Sequence, residues 1–164
     1  MGGSMPVLPG CPPRAADVFV RDRVLALRAS GRSGGARLSV VRLADVVDGL
    51  RPVTDRAWWA PDPADPRTDR GLRTDLVRVL LDGAGPGPLL AVSARGGPAE
   101  VLEQDLGWTE SLAQAAELVE VPAPPLVVVT RWGWRCHPTG GHRTWRRLRD
   151  RGPVVRAERP RDQG

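Results

Sequence analysis

Two short apolar runs, Leu89-Leu90-Ala91-Val92 and Leu126-Val127-Val128-Val129, limit most strongly what this chain can fold into. Residues that stop regular structure fence them: Pro88 and Gly96-Gly97-Pro98 around the first, and Pro122, Pro124 and Pro125 ahead of the second. Runs of this length without polar alternation read as strands buried on both faces. The stretch between them is too long for a hairpin and long enough for a helix, so a right-handed βαβ unit is the economical arrangement. Within the crossover, Pro98 suits a first helical turn with Glu100 and Glu103 near its positive end. Gly107 is expected to interrupt that helix, and Thr109 to cap a second one whose apolar face is Leu112, Ala115, Ala116 and Val119.

Upstream, Val20, Val24 and Leu27 recur at helical spacing between arginines and aspartates, which predicts an amphipathic helix over 14–29. Ser30 to Gly35 breaks the pattern. Leu38 to Leu50 follows, β-branched enough at its start for a strand and suited at its end to a short helix. Three prolines crowd the sequence from Trp58 to Arg70, which reads as loop, with Trp58-Trp59 a flap over the sheet. Leu72, Leu76, Val79 and Leu80 mark a further helix closing at Asp82-Gly83. The expected fold is a small mixed α/β sheet with a βαβ unit (strands near 89–93 and 126–131), at least three helices and disordered termini. Residues 1–13 are expected to form a flexible N-terminal segment, 14–151 a single domain, and 152–164 a flexible basic tail.

The amino-acid alphabet is narrowed. All 24 basic residues are arginine, and lysine, asparagine, isoleucine and tyrosine are missing, the pattern a GC-rich genome imposes. Arginine content by itself is therefore weak evidence of function; its placement is stronger evidence. Residues 131–164 carry a formal charge of +7, residues 1–130 a charge of −2. No apolar run approaches the roughly 20 residues of a membrane helix. Met1 to Pro13 lacks a basic region followed by a long apolar stretch, so no secretory signal is expected, and two distant cysteines fit a reducing cytoplasm.

Reactive side chains concentrate in one segment. Cys136, His137 and His142 lie within seven positions, and a turn through Pro138-Thr139-Gly140-Gly141 would fold His142 back toward the other two. Thiolate and imidazole are good zinc ligands, so these three are the candidate metal ligands of a metal-dependent hydrolase, although no fourth ligand is at hand. His137-Pro138-Thr139-Gly140 resembles the His-Pro-Ser-Gly stretch of the JAB or RadC-like metal-dependent fold over about four positions. Arg135 stands where that pattern has its first histidine and Gly141 where it has aspartate, so the resemblance implies no metal site. Ser93, after the first strand, lacks the glycines of a nucleophile elbow, though a pairing with His142 is conceivable. The turn Ser93-Ala94-Arg95-Gly96-Gly97-Pro98 would offer amides and an arginine to an anion.

The leading candidate is the Arg/Trp-rich end. Trp132, Trp134 and Trp145 interleave with Arg131, Arg135, Arg143, Arg146, Arg147 and Arg149, and guanidinium with indole is the chemistry that holds phosphates and stacks unpaired bases. Trp132 and Trp134 are expected on one face of a strand, and Trp145 on a helix over 143–151. The sequence thus predicts a non-enzymatic binding protein that meets an acidic macromolecule, DNA or RNA being the most concrete. The metal-dependent hydrolase is one alternative. A translated frame of GC-rich DNA without a selected function is the other, since it would give the same filtered composition.

Overall fold

The structure, a computed structural model, describes residues 8–29, 36–49, 57–60, 69–100 and 102–147. In chain order the elements are α1 (Pro13–Ala29), β1 (Ala36–Arg42), α2 (Leu43–Val47), β2 (Ala57–Ala60), α3 (Arg70–Ala84), β3 (Leu89–Ala94), α4 (Glu103–Leu118), β4 (Leu126–Thr130), β5 (Gly133–His137) and β6 (His142–Thr144). The strands form one mixed sheet in the order β2-β1-β3-β4-β5-β6. β3 and β4 are parallel neighbours, Ala91 to Ala94 facing Leu126 to Val129 in register, and α4 makes the crossover. The other strand pairs are antiparallel.

The sheet separates two apolar layers. On one side α1 sets Ala16, Val20 and Val24 against Val41, Leu90, Val92, Val127, Val129, Trp134 and Cys136. On the other, Val77, Leu80 and Leu81 of α3 with Trp108, Leu112, Ala115 and Ala116 of α4 meet Leu38, Val40, Ala91, Leu126 and Val128. Every β4 side chain is buried. A strand covered on both faces gains about 1.5–3 kcal/mol per large apolar side chain at each position, so it carries no polar alternation.

Four local expectations are corrected. Trp58 and Trp59 belong to an edge strand, paired with Leu38 and Arg37 of β1, rather than to a flap. Aromatic residues favour strands, and the prolines begin only at Pro61; residues 61–68 of the expected loop lie outside the described residues. The crossover holds a single helix that starts at Glu103, past Pro98, and runs through Gly107. A Cβ at Gly107 would lie 3.5 Å from the Arg73 guanidinium, an ordinary contact, so the helix passes through this position without a break. Thr109 does not cap anything; its hydroxyl donates to the Asp105 carbonyl one turn back at 3.0 Å. Finally α3 runs past Gly83 to Ala84, and Gly85, at φ +82°, takes the positive-φ position beyond its end.

Leu8 and Cys11 belong to the expected flexible segment, yet both are buried in the α1-side core, with a turn in which the Cys11 amide donates to the Leu8 carbonyl at 3.1 Å. Residues 1–7 and the tail 152–164 lie outside the described residues. Among the described residues no helix is long and apolar enough to cross a membrane.

Candidate functional site

Five arginines, two histidines and no carboxylate fall between Arg131 and Arg147, and the fold wraps this segment into the last two strands of the sheet. The turn from β4 to β5 is tight. The Thr130 hydroxyl accepts from the Trp132 amide at 3.2 Å and donates to the Gly133 carbonyl at 3.4 Å. Beyond β6, the Trp145 amide donates to the Trp132 carbonyl at 2.8 Å. Arg28 at the end of α1 then clamps both segments, Nε donating to the Arg131 carbonyl at 2.7 Å and Nη2 to the Trp145 carbonyl at 3.3 Å. Arg131, Trp132, Trp145, Arg146 and Arg147 thereby gather at the end of the sheet where β3 and β4 finish.

Their individual situations differ. Trp132 stands on the turn with 59% of its surface exposed, and Arg131, Arg146 and Arg147 are exposed beside it. Trp134 is buried in the α1-side core, which overturns the expectation that it shares a face with Trp132: one is in the strand, the other in the turn that precedes it. Trp145 is half-buried against the same core and follows a strand, not the helix expected over 143–151. Arg143 is engaged within the protein: Nη1 donates to Asp17 Oδ1 at 2.5 Å, and its guanidinium lies 5.2 Å from the Trp145 ring centre. Arg135 is half-buried, and Arg149 lies outside the described residues.

The three expected metal ligands are not brought together. Strand alternation sends Cys136 into the core beside Trp134, while His137 occupies the opposite face and His142 sits exposed on β6. Among the described residues no group of three or more His, Cys, Asp or Glu side chains is placed to hold a metal ion. Burial pushes the Cys136 thiol up, partly offset by hydrogen bonds with Thr139, and burial likewise raises Cys11. Neither sulfur is thus primed as thiolate ligand or nucleophile at neutral pH.

Ser93 is fully buried, and its hydroxyl has no partner. In register it precedes Val128, Arg135 and His142 along one row of the sheet, so three strand spacings, about 14 Å, separate it from His142. The expected pairing is absent. Arg95 is equally unavailable to an anion. Its Nε and Nη2 grip Asp105 at 2.9 and 2.6 Å, Nη1 donates to the carbonyls of Gly96 and Pro98, and Nη2 donates to that of Glu100. All the donors of this buried guanidinium are consumed in shaping the loop that leads into α4. Asp105 in turn accepts from the Leu102 amide at 2.8 Å and so caps the helix.

Arg28 and Asp17 escaped the sequence reading because their partners lie 103 and 126 residues away, and no local pattern marks such a pair. No protein-family model, no curated protein and no solved structure matches this chain, and the short JAB-like stretch is not accompanied by a family match.

Proposed function

We propose that this is a non-enzymatic binding protein whose β4–β5 turn, β6 edge and following segment hold single-stranded nucleic acid, DNA or RNA. The observation that carries the reading is the exposed Trp132 flanked by Arg131, Arg146 and Arg147 in a stretch without a single carboxylate. An indole on a turn offers a stacking platform to unpaired bases, and guanidinium groups beside it meet the backbone phosphates. The clamp from Arg28 holds the turn in place, which lowers the ordering cost of binding. Two free thiols are in keeping with a cytoplasmic setting.

The test is fluorescence anisotropy of a labelled single-stranded oligonucleotide with the parent protein and with Trp132→Ala. Stacking predicts a loss of about 1–3 kcal/mol in binding on removing the indole, and weaker binding to a duplex of the same sequence. Equal binding of both proteins, or no binding of any strand, would defeat the reading.

A further inference from the structure

The apolar cluster built by α3 and α4 draws on β1, β3 and β4, and contains no residue of β5 or β6. On β5, Trp134 and Cys136 turn into the other core, so Arg135 and His137 share the sheet face opposite α1. His142 is the cross-strand partner of Arg135, and Thr144 lies two residues further along β6 on the same face. The fold therefore places an arginine and both histidines of the chain together, a grouping that the sequence, pointing to Cys136 as their companion, did not suggest.

Two features of this cluster call for an anion. Arg135 Nε is shut off from solvent and has no hydrogen-bond partner among the described residues, although a buried charged donor is normally paired. The segment from 131 to 147 supplies no carboxylate to offset the Arg135 charge. His142 is also held in place, its Nδ1 lying 3.1 Å from the Gly140 carbonyl, so that Nδ1 carries the bond to the backbone and Nε2 is left for a ligand.

We infer that Arg135, His137 and His142 form a phosphate-binding site on the face of β5 and β6 opposite α1. The guanidinium supplies donors to the phosphate oxygens and His137 a ring N–H, while His142, whose Nδ1–H is engaged by the Gly140 carbonyl, donates from Nε2 when its ring carries both protons. No bond is made or broken; the site binds. It rests on the nucleic-acid reading for one point only, that the phosphate it receives is a backbone phosphate of the strand held at Trp132.

Inorganic phosphate is the probe. Addition of phosphate to the full chain, followed by the imidazole nitrogen and proton resonances of His137 and His142, is expected to shift both rings saturably. In Arg135→Gln the phosphate affinity is expected to fall by about tenfold or more, the loss of charge-assisted hydrogen bonds. The exposed-edge variant His142→Ala, which leaves the core untouched, is expected to weaken phosphate binding as well, and serves should Arg135→Gln not fold. Either variant is also expected to reduce the salt slope of oligonucleotide binding by about 0.7 per lost phosphate contact. If phosphate moves neither ring, or binds His142→Ala as it binds the parent, the inference is overturned, even where the oligonucleotide still binds. If phosphate binds as described but no oligonucleotide does, the site stands and the strand reading falls.

Discussion

Replacing Arg95 by methionine keeps an unbranched apolar stem and removes the guanidinium with its charge and every donor. At 2% and 1% exposure, Arg95 and Asp105 form an ion pair with no water to fall back on. The substitution leaves the Asp105 carboxylate buried with only the Leu102 amide for company, and strips the carbonyls of Gly96, Pro98 and Glu100 of their donor. Breaking a buried pair from one side costs about 3–5 kcal/mol, a large share of the roughly 5–15 kcal/mol that holds a domain together. The double variant Arg95→Met with Asp105→Leu removes the stranded charge, so it is expected to be more stable than the single one. It is not expected to reach the parent, because the three carbonyls exchange a charged donor for water, a net loss of about 1 kcal/mol per bond. Urea unfolding followed by circular dichroism and tryptophan fluorescence measures all of these on one scale. A loss below about 1 kcal/mol for Arg95→Met would refute the argument that this pair organises the β3–α4 loop, as would simple additivity of the two substitutions.

Gly133 is expected to resist any side chain: a Cβ there would sit 2.2 Å from the Arg143 carbonyl oxygen and 2.8 Å from Thr144 Cα. Gly133→Ala should therefore cost at least about 1–3 kcal/mol in urea unfolding, by forcing β5 and β6 apart, and an unchanged midpoint would show that the strands do not approach so closely. The pH dependence of stability carries unusual information, because a chain without lysine or tyrosine leaves its cysteines and the terminal amine as the groups that titrate between about pH 8 and pH 10. Burial raises Cys136 and Cys11, so the unfolded chain gives up its thiol protons first; stability is full below the ordinary thiol pKa of about 8.5 and declines as pH rises toward the folded values. Cys136→Ala should flatten that decline in melts across this range, and an alkaline loss of the same size in the variant would contradict the assignment.

The parts of this fold that the sequence disclosed are those in which one local requirement dominates. β4 must be apolar at consecutive positions because both of its faces are covered, and no other short element asks for Leu-Val-Val-Val bounded by prolines. The α1 stripe is legible for the same reason, with Val20 and Val24 four residues apart on one buried face. Where two requirements compete, local reading picks the wrong one. Gly107 looks like a helix breaker, yet α4 runs straight through it, its neighbours on both sides helical and Trp108 buried in the core. Asp69 looks like one acid among the prolines, yet its carboxylate accepts from the Leu72 amide at 2.8 Å and caps α3.

The candidate site was legible in composition and not in geometry. The excess of arginine and tryptophan after Thr130 is visible in the chain itself, but whether an indole faces water or core depends on where β5 begins. That boundary, one residue after Trp132, leaves this ring exposed and buries Trp134. Likewise Cys136 and His137 are neighbours in sequence and occupy opposite faces in the sheet, so apparent ligand spacing dissolves once a strand is formed. Arg143, Arg95 and Arg135 share one residue type and have three fates, paired with Asp17, consumed by a loop, and left with an orphaned Nε.

The salt dependence of oligonucleotide binding measures whether the exposed arginines meet backbone phosphates. With Arg131, Arg146 and Arg147 on the surface and Arg135 on β5, three to four phosphate contacts predict a slope of log K against log salt of about −2 to −3 for a single strand. Replacing Arg131, Arg146 and Arg147 together by alanine, at exposed positions, is expected to bring that slope most of the way to zero while the melt is unchanged. Binding that ignores salt, or a slope that survives the triple substitution, would contradict the account.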